Sequence, residues 1–444
     1  MGLSRHRRVL QKTLIEIGAK SKAAIRGAKL PPGRLRVPQE GESRNQDFLL
    51  KRATELGPIF KVWLPHKMTT CIVGHEMARR FLSENEGKIR AGTPDLTPLF
   101  PHGFLRALEG PIHRKYRKLF SEAFKATPLE PHLPTFRAMI REGLERLASL
   151  PQPIDNSTMR HQLKQMTTRV FLQLILGVAP DSAHFDEFVS AYDAYAPNGV
   201  FIVVRPRHEP LYKMIRGLVL RQAEELQAQP SAPPSLLRNF VRLNALDETV
   251  IGNMVQMVEA SRYDVHGLWL WLVKHLGDSA ETIELAREQT PRKEGDLSAI
   301  WAIPRETLRM EQSELLLRVA VKDIVFDGYF IPKGTHIRIC VWEAHHDRAI
   351  FREPFRYDCT RFMDARIKAN DYSPFGLDKH RCLGADWTFA LSELFVEELA
   401  RNFELATAVD GDPSFGRFHY EPSTEFAVNL SVLKATASSG ILPQ

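Results

Sequence analysis

The stretch Ser373-Pro374-Phe375-Gly376-Leu377-Asp378-Lys379-His380-Arg381-Cys382-Leu383-Gly384 constrains this chain more than any other, because a turn-rich loop there places a cysteine directly ahead of a helical pattern. The helix is marked by Leu383, Trp387, Leu391, Leu394, Phe395 and Leu399, spaced so that they share one face. A thiolate just before a helix N-terminus gains from free backbone N–H groups and the positive end of the helix dipole. Both lower its pKa and make it a good metal ligand. The competing reading is an ordinary buried cysteine, the commonest state of a free thiol. Residues elsewhere in the chain have to decide between the two.

The other cysteines do not compete for that role. Cys71, Cys340, Cys359 and Cys382 are scattered, with no C-x-x-C pair, so neither a disulfide framework nor a zinc site is indicated and a reducing compartment fits. The 444 residues, 43% hydrophobic and 25% charged, have the balance of a folded globular protein with a large core. Residues 1–30 carry charge throughout, without a signal peptide or the roughly 20 apolar residues of a transmembrane anchor, so the protein is expected to be cytoplasmic. Net charge is +7, with basic clusters near the N-terminus and in His113-Arg114-Lys115-Tyr116-Arg117-Lys118. Such clusters steer acidic partners. Nucleic acid is the weaker reading, since no helix-turn-helix, zinc finger or RNA-binding signature is present to position it.

Residues 1–33 read as a basic, partly helical lead-in closed by Pro31-Pro32-Gly33. Strand-type runs follow at Ile59–Trp63 and Thr70–Val73, and the pattern is mostly helical from about Pro111 to Val319. Short strands and turns return between Asp323 and Val341, at Asp327-Gly328 and Pro332-Lys333-Gly334. There is no internal repeat and no low-complexity linker. The fold class expected is one mainly α domain with small β-sheets, spanning 34–444.

Three further features lie upstream of Cys382. Glu306 and Arg309 stand at i and i+3, so they share a helix face and can form a charge-assisted pair. Arg361, in Phe351–Phe362, is placed to reach back to that pair. His113 and Arg117, at i and i+4 of a helix over 110–120, are suited to binding carboxylates, although a solvated basic face is the default reading.

In this order the set resembles the cytochrome P450 family, from about Gly57 to the end of the helix after Cys382. The family's cysteine loop has Phe, Gly, Arg or His, and Gly at fixed offsets from the ligand. Here these are Phe375, Asp378, His380 and Gly384, three of four matching. Its E-x-x-R is similar to Glu306 and Arg309, its third triad member to Arg361, and its G-x-x-I-P-x-G-T turn to Gly328–Thr335. The resemblance implies a single-domain cytochrome P450 fold and haem b (iron protoporphyrin IX) as cofactor, with Cys382 the thiolate that pushes electron density to the iron. His113, Arg117, Arg318 and His380 would bind the haem propionates. It further implies a monooxygenase acting on a small apolar organic substrate, with loops around Gly92–Phe104 and Pro197–Val204 lining the pocket. Nothing in the chain resembles a flavin-binding or iron-sulfur segment, so a separate donor, ferredoxin with its reductase, is implied.

The chain departs from the family twice. Asp378 stands where the family has glycine close to the haem, which suggests a backbone less free to turn. In the apolar helix over Asn253–Leu276, the family's Ala-Gly-x-acid-Thr falls on Ala260-Ser261-Arg262-Tyr263-Asp264, with tyrosine at the acid position and aspartate at the alcohol position. Asp264, Tyr263 and Ser261 are therefore the candidate catalytic residues. An Asp264 carboxyl in an apolar pocket would have a raised pKa and act as general acid, with Tyr263 and His266 holding water beside it. The other reading is that Asp264 pairs with Arg262 or caps a local break. A third is that Arg262 anchors a substrate carboxylate. This altered helix keeps open a peroxygenase, isomerase or dehydratase, and also a haem protein without catalysis.

Overall fold

The computed structural model describes residues 16–33, 45–64, 67–196, 203–229, 231–288, 298–311, 316–363, 367–415 and 419–433. The longer helices are α1 (Gly110–Lys125), α2 (Leu133–Ala148), α3 (Asn156–Phe171), α4 (Phe185–Tyr195), α5 (His208–Ala228), α6 (Glu248–Asp278), α7 (Ala299–Met310) and α8 (Ala385–Asn402). The strands used below are β1 (Ile59–Trp63), β2 (Met68–Val73), β3 (Ile89–Ala91), β4 (Ile154–Asp155), β5 (Leu316–Ala320), β6 (Ile324–Phe326), β7 (Tyr329–Ile331), β8 (His336–Cys340), β9 (Phe403–Val409), β10 (Ser414–Phe415), β11 (Tyr420–Glu421) and β12 (Ala427–Val432). This is the mainly helical architecture with small sheets that the sequence predicts.

Several helix starts are fixed locally. Asp155, Asp247 and Ser298 each accept a hydrogen bond from a backbone N–H three residues on, capping α3, α6 and α7. Caps of this kind contribute about 1 kcal/mol apiece. Helix α6 is 31 residues long, about 46 Å at 1.5 Å per residue. It is buried on most of its circumference and packs on α3, α5, α7 and α8. Trp269 locks it to α8 by stacking on Phe395 at 4.5 Å and donating to Ser392 Oγ at 3.2 Å. Offset aromatic stacking adds about 0.5–1.5 kcal/mol beyond burial.

The largest sheet runs β1-β2-β8-β5-β3, with β2 and β8 parallel and the other pairs antiparallel. Along β5 the side chains alternate, so Leu316, Arg318 and Ala320 share the buried face. A guanidinium is thereby carried inside, where it needs a partner. Strands β4 and β5 interrupt the helical stretch expected from Pro111 to Val319. Strand β4 exists through its pairing with β12, more than 250 residues away, which no local pattern announces. Within the N-terminal segment, residues 16–25 form a helix, and Lys29 bridges to Tyr329 of β7.

Candidate functional site

The loop ahead of α8 is drawn tight by backbone hydrogen bonds from Cys382 N to Phe375 O (3.0 Å), Gly376 N to Ser373 O (3.2 Å) and Arg381 N to Asp378 O (2.9 Å). The left-handed turn falls on Gly376, φ +93°. Asp378 is not among the positive-φ residues, so the restriction expected of a side chain there does not arise. Its carboxylate closes the loop instead: Oδ1 accepts from His380 N at 2.9 Å and Oδ2 from Arg318 Nη2 at 2.5 Å. Burial opposes the Asp378 charge, but Arg318 outweighs it and holds the carboxyl below its usual range. Of the four cysteines Cys382 is exposed and the other three are buried, which removes the ordinary-core reading. Phe375 sets its ring edge-on to Phe389 at 5.1 Å, and Gly384 is the N-cap of α8.

Behind the loop, Glu306 and Arg309 are fully buried and doubly hydrogen-bonded, at 2.7 and 2.9 Å. Arg361 donates to Glu306 Oε1 at 2.9 Å, completing the triad. Arg309 also donates to His345 O, and His345 Nε2 accepts from Ser373 N at 3.0 Å. The triad therefore braces the start of the cysteine loop through one histidine. His345 and its link were not apparent in the sequence.

The four expected carboxylate binders converge on the same loop. His113 is buried with its ring 4.4 Å from that of His380, and burial, then the charges of His380 and Lys379, push its imidazole down to about 4. Burial also lowers Arg117, opposed first by the Cys382 thiolate. Arg318 and His380 line a cavity of about 350 Å³ together with Ile89, Glu109 and Asp378. Glu109 lies 2.9 Å from Lys379 and 3.5 Å from His380. Burial works against its charge, but those two partners hold its carboxyl at about 2. Among the described residues, His113 Nε2 and His380 Nδ1 are buried without a hydrogen-bond partner. An exposed cysteine sulfur beside two buried, under-partnered imidazoles and the guanidinium groups of Arg117 and Arg318 fits a haem, whose iron would take the sulfur and whose two carboxylates would take the nitrogen donors.

Helix α6 behaves differently from expectation. Its middle shows one accessible stripe, Met257, Ala260, Ser261, Asp264 and Gly267, and the rest of that stretch is buried. Ser261 and Asp264 share the stripe, but among the described residues no apolar pocket encloses Asp264. The carboxyl is 57% exposed and lies 3.6 Å from His419 Nε2, not beside Arg262. Tyr263 is off the stripe, with its hydroxyl 3.4 Å from Glu421 Oε1, and His266, also off it, turns its Nδ1 to Arg262 O at 2.7 Å. Arg262 is fully buried and bonded to Glu259 (2.7 Å), Asp193 (3.0 Å) and Tyr192 O (2.6 Å). Its donors are committed, which excludes the substrate-carboxylate role. The sequence reading missed Glu259, whose carboxyl burial raises to about 7 against the pull of Arg262 and whose Oε1 has no partner among the described residues. The signal was available: Glu259 and Arg262 repeat the i, i+3 spacing of Glu306 and Arg309.

A protein-family model described as Cytochrome P450 matches residues 35–229 and 287–419. The chain belongs to the cytochrome P450 family. This P450 is a haem-thiolate monooxygenase with haem b as its cofactor. The unmatched stretch, 230–286, contains all of α6, the helix whose motif departs. Curated relatives include a putative cytochrome P450 of Synechocystis sp., 26% identical over 84% of this chain and 90% of that one. Others are a taxoid 2-alpha-hydroxylase of Taxus canadensis, 24% identical over 86% of both, and an abscisic acid 8'-hydroxylase of Arabidopsis thaliana, 23% identical over 86% and 87%. The fold is similar to that of a cyanobacterial cytochrome P450 with retinoic acid bound, at TM-score 0.73 and 21% identity, covering 91% of this chain and 100% of that one.

Proposed function

We propose that this P450 hydroxylates a small apolar molecule, with an isoprenoid the first class to test, using electrons from a separate acidic donor of the ferredoxin type served by its reductase. The observation that carries the reading is the exposed Cys382 thiol in a loop braced by the Glu306-Arg309-Arg361 triad and ringed by His113, Arg117, Arg318 and His380. The names of the relatives support the substrate class. Apolar lining is supported by Phe100, which stacks on Phe104 at 6.1 Å and meets Tyr212 edge-on at 5.3 Å over Gly252 of α6. Of the second lining loop, residues 197–202 lie outside the described residues.

Bound haem supplies oxygen activation and electron transfer. The chain supplies the rest. Cys382 would hold the haem iron through its sulfur, and the triad fixes where that sulfur stands. His113, Arg117, Arg318 and His380 would hold the haem carboxylates. Ser261 and Asp264, on the accessible stripe of α6, are the groups placed to move protons, with His419 beside the Asp264 carboxyl. An acidic donor is supported by the exposed Arg114, Lys115, Lys118 and Lys125 on α1, the helix that also carries Arg117. We read 34–444 as one haem domain. A cytoplasmic setting is supported by free, scattered cysteines and by the absence, among the described residues, of a helix long and apolar enough to cross a membrane.

The test is the spectrum of the reduced, carbon monoxide-bound protein, followed by substrate-induced shifts with a terpenoid panel. Loss of the red-shifted band in Cys382→Ser is the expected result, and its absence from the parent protein refutes the thiolate. The altered α6 motif favours one second reading, a peroxygenase. Product formed with peroxide but not with O2 and a ferredoxin system would establish that reading instead.

A further inference from the structure

The accessible stripe of α6 is met by a hairpin from the far end of the chain. Strands β10 and β11 pair antiparallel, Ser414 with Glu421 and Phe415 with Tyr420, and His419 stands just ahead of β11. The hairpin is fixed at the next two residues along. Trp271 Nε1 of α6 donates to Tyr420 O at 3.0 Å, Arg160 of α3 donates to Glu421 Oε2 at 2.6 Å, and the Tyr263 hydroxyl of α6 lies 3.4 Å from Glu421 Oε1. A side chain beside residues held this firmly has little choice of position. His419 is 13% exposed, its Nδ1 is buried without a hydrogen-bond partner among the described residues, and its Nε2 stands 3.6 Å from Asp264 Oδ1. That is ion-pair range, a few tenths of an ångström beyond a hydrogen bond.

The surrounding groups leave this pairing to Asp264. The other titratable and charged side chains at this end of the hairpin are Tyr263 on α6, Tyr420 and Glu421 on β11 and Arg160 on α3, and Glu421 is engaged by Arg160 and Tyr263. Tyr263 occupies the family's acid position but points off the stripe, so the stripe itself offers the Ser261 hydroxyl and the Asp264 carboxyl. A hydroxyl passes a proton along without holding one in reserve. As residue types, aspartate ordinarily gives up its proton at about pH 3.9 and histidine at about 6.5, so histidine is the one that both carries and releases a proton near neutrality. Ser261 and Asp264 thus make a path, and His419 is placed to load it.

We propose that His419 is the proton store for Asp264, a positioning residue brought by the C-terminal hairpin that takes the place of the acid missing from α6. The inference rests on the reading of Asp264 as a proton-moving group. The imidazolium gives its Nε2 proton to the Asp264 carboxylate, the carboxyl passes a proton on along the stripe, and the neutral imidazole recovers one from water. Each proton given is replaced, and no electron moves.

The experiment uses the full-length haem-loaded protein, isotope-labelled at histidine, reduced and bound to carbon monoxide, a diamagnetic state in which imidazole signals can be titrated by NMR. Loss of one signal in His419→Asn identifies His419. The expected result is a His419 midpoint that falls by roughly half a unit or more in Asp264→Asn, because a nearby carboxylate favours the imidazolium. In turnover with O2 and a ferredoxin system, His419→Asn should release severalfold more hydrogen peroxide per electron pair consumed, with correspondingly less product, and should be slowed less when peroxide replaces O2. Both variants should keep the parent's carbon monoxide band, which separates these effects from a disturbed fold. A midpoint that ignores Asp264→Asn overturns the pairing, and unchanged peroxide release in His419→Asn overturns the role. If the midpoint moves but Asp264→Asn itself leaves peroxide release unchanged, the reading of Asp264 fails and takes the relay with it.

Discussion

Asp378→Asn is expected to make this P450 hold haem more tightly. In the structure Arg318, one of the four residues proposed to bind the haem carboxylates, is engaged by Asp378 at 2.5 Å, and both side chains are largely buried, at 3% and 16% exposure. A propionate arriving at Arg318 would have to share that guanidinium with Asp378 and would be repelled by it. Asparagine keeps the shape and keeps Oδ1 as the acceptor for His380 N, so the loop stays closed. What changes is the charge. A charge-assisted hydrogen bond is worth ~1.5–3 kcal/mol net, so returning Arg318 to the cofactor corresponds to about ten- to hundredfold in affinity. The assay is the rate of haem transfer from the ferric protein to an excess of apomyoglobin, followed by absorbance, with the melting temperature of the haem-free form as control for the loop. Haem loss as fast as in the parent, with unchanged melting, would refute the competition between Asp378 and a propionate. Asp378→Gly should gain less, because it also gives up the bond to His380 N.

Arg262→Ala should destabilise the fold by about 3–5 kcal/mol in denaturant melts above pH 7, where the buried Glu259 carboxylate is ionised and loses its cation; a change under ~1 kcal/mol there would show the network to be idle. Glu259 predicts a pH dependence: its folded-state pKa is raised to about 7 from 4.5, so the folded state binds the extra proton and its contribution to stability is lost as pH rises from about 4.5 through 7. Glu259→Gln should flatten the stability profile across that window, and an unchanged slope would contradict the assignment. Glu306→Ala should cost several kcal/mol of stability and loosen haem retention together, because it leaves Arg309 buried and Arg361 detached; melting curves and the carbon monoxide difference spectrum read both. Asp264→Asn should slow product formation with O2 more than with peroxide, and equal slowing of the two would remove Asp264 from proton delivery.

What the sequence made legible, and what it hid, divides by the reach of the interaction. Glu306 and Arg309 are three residues apart, so helical geometry alone pairs them, and the paired residues are found at 2.7 Å. The Cys382 loop was legible because its turn and its helix are both local. Asp378 was not, because its partner Arg318 lies sixty residues upstream on β5 and is turned inward only by strand alternation within a sheet that forms across the chain. Reading Asp378 by backbone freedom alone missed that its carboxylate substitutes a side-chain turn for the freedom of glycine.

The departures on α6, at Arg262, Tyr263 and His266, have a sharper cause. Helical periodicity states which residues share a face, not what that face meets. Arg262 and Asp264 are about 200° apart around the axis, so no placement of α6 lets both serve one pocket. The structure resolves the choice through packing: Arg262 faces α3 and α4, where Asp193, Thr168 and Tyr192 absorb its donors, and Asp264 takes the accessible stripe. Burying Arg262 required Glu259 within reach, and burying Glu259 cost it a partner for one oxygen. An ionic pair was thus built into the helix that the family model leaves unmatched, on the side away from the stripe. That helix can have changed its motif without losing its place in the core, since the pair fastens it to α4 while Ser261 and Asp264 stay on the face left open to chemistry.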